Sequence, residues 1–366
     1  MPVRITEIKL FKLAVPLKTP FRTALRTVET MESLVLAMHT DTGHVGWGEA
    51  PATAVITGDT LPSIAWAVEG VIGPQLIGGD VEAREELLHR VHTAMVHNTS
   101  AKAAIDMALY DLWGQKLGSP LWKLLGGFRN TLETDLTISA GSPETMVEDS
   151  RRAVEEGYRI LKVKVGRDSA GDLERLCRIR EAVPPGTRLR VDANQGWTPK
   201  EAVRMIRAME DRGLDVELVE QPVGAEDLAG LEFVTSRVLT DILADEAVFS
   251  VRDGVEIIRR RAADLINLKL MKTGGLYQAE LLCGLAQAHG VGCMMGCMLE
   301  GGVAATAAAQ FAAAKRNVRL VDLDGPSLGR FNPVQGGARF DGPIIRLPDT
   351  PGLGITGVQG LEPLMA

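Results

Sequence analysis

The chain has 366 residues, 45% of them apolar, 24% charged and 4% aromatic, which is enough for a large core with a second small domain and excludes a disordered or fibrous polypeptide. Forty basic residues against 47 acidic ones leave a net charge of −7, which supplies no basic footprint for a nucleic-acid backbone and suits a small-molecule protein.

Arg4, Glu7, Lys9 and Lys12 break the apolar run that a signal peptide would need. Residues 2–12 and 33–39 alternate and read as antiparallel strands, joined by a chain that includes PFRTALRTVET at 20–30. Helical patterns follow at about 60–72, 81–97 and 99–117, the last closing near Gly118 and Pro120. Residues 1–125 are therefore expected to form an α+β domain. From about residue 131 the texture changes to short apolar runs separated by amphipathic helices. The runs are LETDLTI at 132, RILKVKV at 159, RLRVDA at 188, VELVEQ at 216, TDILADE at 240, ADLINLKL at 263, GVGCM at 290 and VRLVDLD at 318. Strands alternating with helices of this length are βα units, and eight of them predict an α/β barrel over 126–324. The Gly- and Pro-rich segment 325–366 has no room for another unit and is expected to return to the first domain. The stretch 291–314, mostly Ala and Gly with Glu300 and Gln310, reads as a loop and core helix and not as a membrane span.

Lys164, Asp192, Glu220, Asp245 and Lys269 each end one of these apolar runs, at separations of 28, 28, 25 and 24 residues. One βα unit per step brings all five to the C-terminal mouth of a barrel, where active sites of this fold are built. Three buried carboxylates on adjacent strands repel one another, and a divalent cation removes both the repulsion and the burial cost. Asp192, Glu220 and Asp245 offer only oxygen, so the ion expected is Mg²⁺, with Mn²⁺ as the alternative. Lys162 and Lys164 are two apart on one strand and share a face, while Lys269 lies on the sixth strand, roughly across the barrel. Bases on opposite sides of a substrate remove an α-proton from one face and return it to the other, inverting the stereocentre while the cation takes up the developing charge.

Other signals carry less. Cys177, Cys283, Cys293 and Cys297 are too few and too uneven for a disulfide framework and fit a reducing compartment, so the expected location is the cytoplasm. Cys293 and Cys297 lack a second Cys/His pair for a structural metal. GLGITG at 352–357 has neither a following helix nor a downstream acid for a dinucleotide, Asn98-Thr99-Ser100 matches a glycosylation pattern that such a location would leave unused, and no third ligand accompanies His89 and His92 near His97.

KVKVG at 162–166, VDANQGW at 191–197, VEQP at 219–222, ADE at 244–246 and NLKLMKTGG at 267–275 resemble the enolase superfamily, in its muconate lactonizing subgroup. PFRTALRTVET at 20–30, GWGEAPATAVITGDT at 46–60, SAKAAIDMALYDLWG at 100–114 and VDLD at 321–324 are similar to the dipeptide epimerases within it. The resemblance implies a modified (β/α)₇β barrel with an α+β capping domain completed by the C-terminal segment, and one Mg²⁺ held by Asp192, Glu220 and Asp245. It further implies Lys164 and Lys269 as the two acid/base groups, with Lys162 as the electrostatic neighbour of Lys164. Asp322 and Asp324 match the pair that binds a dipeptide's α-ammonium group. Arg26 matches a capping-loop arginine that contacts the side-chain carboxylate of a substrate Glu, and Thr137 is expected to add a hydroxyl.

The function so implied is epimerisation of L-Ala-D/L-Glu, or a related L-Ala-L-Xaa dipeptide, at the C-terminal residue's α-carbon, as in murein peptide recycling, by a homo-oligomer. Gly301-Gly302 departs from the pattern, and its small residues are expected to enlarge the pocket and loosen any preference for Glu. An N-succinylamino acid racemase or o-succinylbenzoate synthase would keep the metal and the lysines, but its substrate lacks the ammonium group that Asp322 and Asp324 suit. A cycloisomerase is disfavoured on the same ground. A non-catalytic metabolite-binding protein would have little physical reason to keep opposed lysines around a buried acidic triad.

Overall fold

The structure is a computed structural model that describes residues 2–23, 26–166 and 168–364. Its N-terminal part is an antiparallel sheet built on a long hairpin, β1 (Ile5–Arg22) and β2 (Thr27–Thr40), to which β3 (Val45–Pro51) is added. Along β1, Leu13, Val15 and Leu17 are buried while Ala14 and Pro16 between them are exposed, the period-two pattern of a strand with one covered face. The pairing reaches Phe21↔Val28, so 20–30 continues the hairpin where a simple connection was expected. Ala24 and Leu25 of that segment lie outside the described residues. The C-terminal segment reaches the opposite edge of this sheet, where Phe11 pairs with Pro363. The helix Thr99–Lys116 is buried along nearly its whole length, against β3 on one side and the barrel on the other.

Eight parallel strands form the second part: β5 (Leu136–Ile138), β6 (Ile160–Lys164), β7 (Arg188–Asp192), β8 (Val216–Glu220), β9 (Asp241–Ala244), β10 (Leu265–Leu268), β11 (Gly292–Gly296) and β12 (Val318–Asp322). Long helices follow the first seven strands, which is the (β/α)₇β arrangement. LETDLTI does not form one strand. Its first part, β4 (Thr131–Glu133), pairs antiparallel with Ile344–Arg346 of the C-terminal segment, and only the second part enters the barrel. Between the two, the Thr134 backbone is bound to Pro343 O, and Asp135 is drawn inward onto Arg190.

The ladder is open between β12 and β5, and side chains close this seam. Leu323 N donates to Thr134 Oγ1 at 2.8 Å, Thr137 N to Asp324 Oδ2 at 2.8 Å, and Arg190 Nη1 to Val321 O at 2.9 Å. The Ala-rich stretch after β11 becomes the helix Gly302–Ala314, buried at every position between barrel and capping sheet. Among the described residues no helix is long and apolar enough to cross a membrane.

Candidate active site

Parallel register sets Lys164 beside Asp192, and Asp192 beside Glu220, at the C-terminal ends of β6, β7 and β8. Asp245 and Lys269 are the first residues beyond β9 and β10. All five are buried, together with Lys162. Lys164 Nζ donates to Asp192 Oδ2 at 2.6 Å and Lys269 Nζ to Asp245 Oδ2 at 2.6 Å. Lys162 Nζ stands 3.2 Å from Asp192 Oδ2, 2.7 Å from Glu220 Oε2 and 2.7 Å from Asp322 Oδ2.

The charges govern one another. Burial opposes ionisation of Asp192 and Asp245, but the surrounding lysines outweigh it and hold both carboxyls below the usual range. Glu220 goes the other way, to about 8, because burial and the Asp192 charge exceed what Lys162 supplies. Burial likewise opposes the charge on Lys162 and Lys269, yet the carboxylates around them raise both above the ordinary lysine value.

Residues that the sequence reading did not single out support this row. Lys272 Nζ lies 2.6 Å from Asp245 Oδ1, Asn267 Nδ2 donates to Glu220 Oε1 at 2.9 Å, and Gln221 Oε1 accepts from Asp245 N at 2.9 Å. Below the mouth, Arg190 donates to Asp135 Oδ2 at 2.7 Å and to Glu217 Oε2 at 2.6 Å, which lets a guanidinium sit inside the barrel. The available signal was strand parity, since Arg190 precedes Asp192, and Asn267 precedes Lys269, by two residues.

Asn194, Gln195 and Gln221, just past Asp192 and Glu220, have φ of 43°, 69° and 34°, conformations that tertiary contacts must hold in place for non-glycine residues. Asn194 Oδ1 and Glu246 Oε2 are buried without a hydrogen-bond partner, and Glu220 Oε2 and Asp245 Oδ1 meet only the charges of Lys162 and Lys272. Oxygen atoms left in this state around three carboxylates fit a hard divalent cation.

On the far side of Lys162, Asp322 and Asp324 face the same pocket. Burial tends to raise Asp322, but Lys162 and Lys269 hold it at about 2. Asp324 is pushed up to about 6 by burial and by Asp322, and accepts the Thr137 N–H. The Thr137 hydroxyl also bonds to Asp324, so its immediate partner is the carboxylate. Cys297 lies within 4.8 Å of these two aspartates. Burial and the aspartates push its thiol up, so it stays neutral, a poor anionic ligand but compatible with a bound ammonium group.

The capping domain supplies the roof. Phe21, Thr23 and Arg26 from the hairpin, and Thr53, Val55 and Ile56 from the segment after β3, line the pocket with Lys164, Lys269, Asp322 and Asp324. Burial lowers the pKa of the Arg26 guanidinium. Gly301 and Gly302 do not enlarge the pocket, contrary to expectation. A Cβ on Gly301 would lie 2.5 Å from Glu49 Oε1 and one on Gly302 2.6 Å from Asn332 Oδ1, so neighbouring side chains already fill that space. The wall of the pocket is Cys297, Met298 and Leu299 instead.

A capped (β/α)₇β barrel with carboxylates and lysines at its strand ends defines a class of enzyme. Residues 145–359 match the family described as enolase C-terminal domain-like, and residues 5–126 match the mandelate racemase/muconate lactonizing enzyme N-terminal domain. The chain belongs to this mandelate racemase/muconate lactonizing enzyme family of the enolase superfamily and is an isomerase. Within the family it is 51% identical to the L-Ala-D/L-Glu epimerase of Clostridium acetobutylicum, over 97% of this chain and 99% of that one. The substrate-liganded L-Ala-D/L-Glu epimerase of Bacillus subtilis superposes with a TM-score of 0.96 at 50% identity, over 97% of this chain and 99% of that one. The Enterococcus faecalis dipeptide epimerase complexed with Mg and L-Leu-L-Tyr gives a TM-score of 0.94 at 39% identity, over 97% of this chain and all of that one.

Proposed function

We propose that the chain is a Mg²⁺-dependent dipeptide epimerase acting on L-Ala-D/L-Glu, with Lys164 and Lys269 as its two proton-transfer groups. The observation that carries this reading is that both lysines line one small pocket, from β6 and from the end of β10, with the acidic row of β7, β8 and β9 between them. Asp192, Glu220 and Asp245 would hold the cation. When bound, Mg²⁺ neutralises the substrate carboxylate and the charge that develops there as the α-proton leaves.

The remaining work falls to the chain itself. One lysine takes the α-proton of the C-terminal residue on its own face, and the other, protonated, delivers a proton to the opposite face. Reversing the roles epimerises the product. Lys162 stays charged beside the reacting carboxylate. Asp322 and Asp324 hold the substrate ammonium, with the Thr137 N–H fixing Asp324 and the neutral Cys297 beside them. Arg26 meets the side-chain carboxylate of Glu from above. An N-succinylamino acid would bring an anion against Asp322 and Asp324, so a free amine is the better fit. The reaction belongs to the salvage of murein peptides in the cytoplasm, and the enzyme works as a homo-oligomer, which its sedimentation behaviour would show.

The test is incubation with Mg²⁺ in D₂O and a set comprising L-Ala-L-Glu, L-Ala-L-Phe, L-Ala-L-Lys and an N-succinylamino acid, followed by mass spectrometry. L-Ala-L-Glu should gain one α-deuterium and invert fastest. Exchange confined to the N-succinylamino acid, or absent from the whole set, would overturn the dipeptide reading.

A further inference from the structure

Two carboxylates of the capping domain, Glu49 on β3 and Asp106 on the helix Thr99–Lys116, are fully buried at the boundary with the barrel. Each ends on the first N–H groups of a barrel helix. Glu49 Oε1 accepts from Gly301 N at 2.8 Å, and its Oε2 accepts from Val303 N at 3.1 Å and Ala304 N at 3.0 Å, at the start of Gly302–Ala314. Asp106 Oδ1 accepts from Leu276 N at 2.6 Å and its Oδ2 from Tyr277 N at 3.2 Å, at the start of Leu276–Ala288. These donors are otherwise unsatisfied at a helix N-terminus, and the helix dipole favours the negative charge.

The fit leaves no slack. The residue before each helix is glycine, and a Cβ there would lie 2.5 Å from Glu49 Oε1 at Gly301 or 2.3 Å from Asp106 Cγ at Gly275. Glu49 and Asp106 also belong to one packed block. Gly46 and Gly48 let β3 lie against the Thr99–Lys116 helix so closely that a Cβ would come within 2.3 Å of Ala108 O or 1.9 Å of Ala104 O.

Both helices begin where pocket-lining loops end. The loop after β10 carries Lys269, and the loop after β11 carries Cys297, Met298 and Leu299. From the other side, β3 runs directly into the segment that brings Thr53, Val55 and Ile56 over the same pocket. We propose that Glu49 and Asp106 are positioning residues that register the capping domain on the barrel, and so set how closely its roof fits the substrate's C-terminal side chain, while taking no part in proton transfer. This rests on the dipeptide-epimerase reading.

The test compares wild type with E49Q, D106N and G301A on L-Ala-L-Glu and L-Ala-L-Ala, with amide hydrogen exchange on the same proteins. The amide introduced by E49Q or D106N sets an NH₂ against the helix donors, and G301A displaces the Glu49 carboxylate without removing it. The expected result is at least a tenfold rise in KM for L-Ala-L-Glu, kcat on L-Ala-L-Ala within threefold of wild type, and faster exchange in peptides covering 52–60 while those covering 188–193 are unchanged. A loss of kcat on both substrates at unchanged KM, or folded variants with unaltered KM and exchange, would overturn the proposal. If wild type turns over neither dipeptide, the epimerase reading fails by itself, and the exchange measurement still decides whether the two carboxylates hold the domains in register.

Discussion

Lys164 Nζ and Lys269 Nζ each lie 2.6 Å from a carboxylate oxygen, of Asp192 and Asp245 respectively, and β7, β8 and β9 separate the strands that carry them. Neither ammonium can take over the other's position, because each is anchored to its own end of the acidic row. If each serves one face of the α-carbon, K164A and K269A will both abolish epimerisation, with losses of about 10²–10⁴-fold expected for a general acid/base. Each variant will still exchange the α-proton of one diastereomer of Ala-Glu in D₂O, and the two variants will retain opposite diastereomers. Proton NMR of the α-position distinguishes this from a one-base mechanism, in which one of the variants would keep both exchanges.

Asp324 sets a pH dependence. Its carboxyl is raised to about 6 by burial and by Asp322, so it is mostly protonated below that pH and ionised above it. If Asp324 shares a substrate ammonium with Asp322, its ionised form binds the more tightly. KM for L-Ala-L-Glu is therefore expected to rise as the pH falls below about 6, toward the value of a variant without this charge, because Asp322 stays ionised, and to level off above it, while kcat changes less. D324N should lose this inflection and raise KM at neutral pH by about 10–100-fold, the scale of one hydrogen bond to a charged group. An inflection that survives in D324N would assign it to another group.

Arg26 reaches the pocket from the hairpin and loses solvation there, which favours a compensating anion. R26A should raise KM for L-Ala-L-Glu by about 10–100-fold, or ~1.4–2.7 kcal/mol, and leave L-Ala-L-Ala within a few-fold. Equal losses on both substrates would mean that Arg26 supports the roof and does not read the side chain.

Chelation should abolish deuterium exchange, and Mg²⁺ should restore it. A ligand that binds only the folded state at 100 times its Kd stabilises by about 2.7 kcal/mol, so saturating Mg²⁺ should raise Tm by several degrees. D245N removes one carboxylate of the row and should lose most of that rise. A Tm indifferent to Mg²⁺ in wild type would contradict a metal site at Asp192, Glu220 and Asp245.

The sequence by itself determined the barrel and the row of strand-end residues. A parallel strand and its helix recur every 24–28 residues from Lys164 to Lys269, and that repeat brings chemically similar side chains to one rim wherever the helices pack. The parity of two within a strand likewise placed Lys162 beside Lys164 on one face of β6, whereas β12 ends at Asp322 and Asp324 reaches the same pocket from the turn that follows. What only the tertiary structure decided lies between segments with no common period. The Glu49 carboxylate occupies the space beside Gly301, 252 residues away, so two glycines that read locally as a widened pocket are a close domain contact. The seam from Thr137 to Asp324 spans 187 residues, and the approach of Cys297 to both aspartates likewise crosses between strands. Local pattern reports which face a side chain takes, whereas the partner it meets there depends on how the barrel closes and where the capping sheet docks.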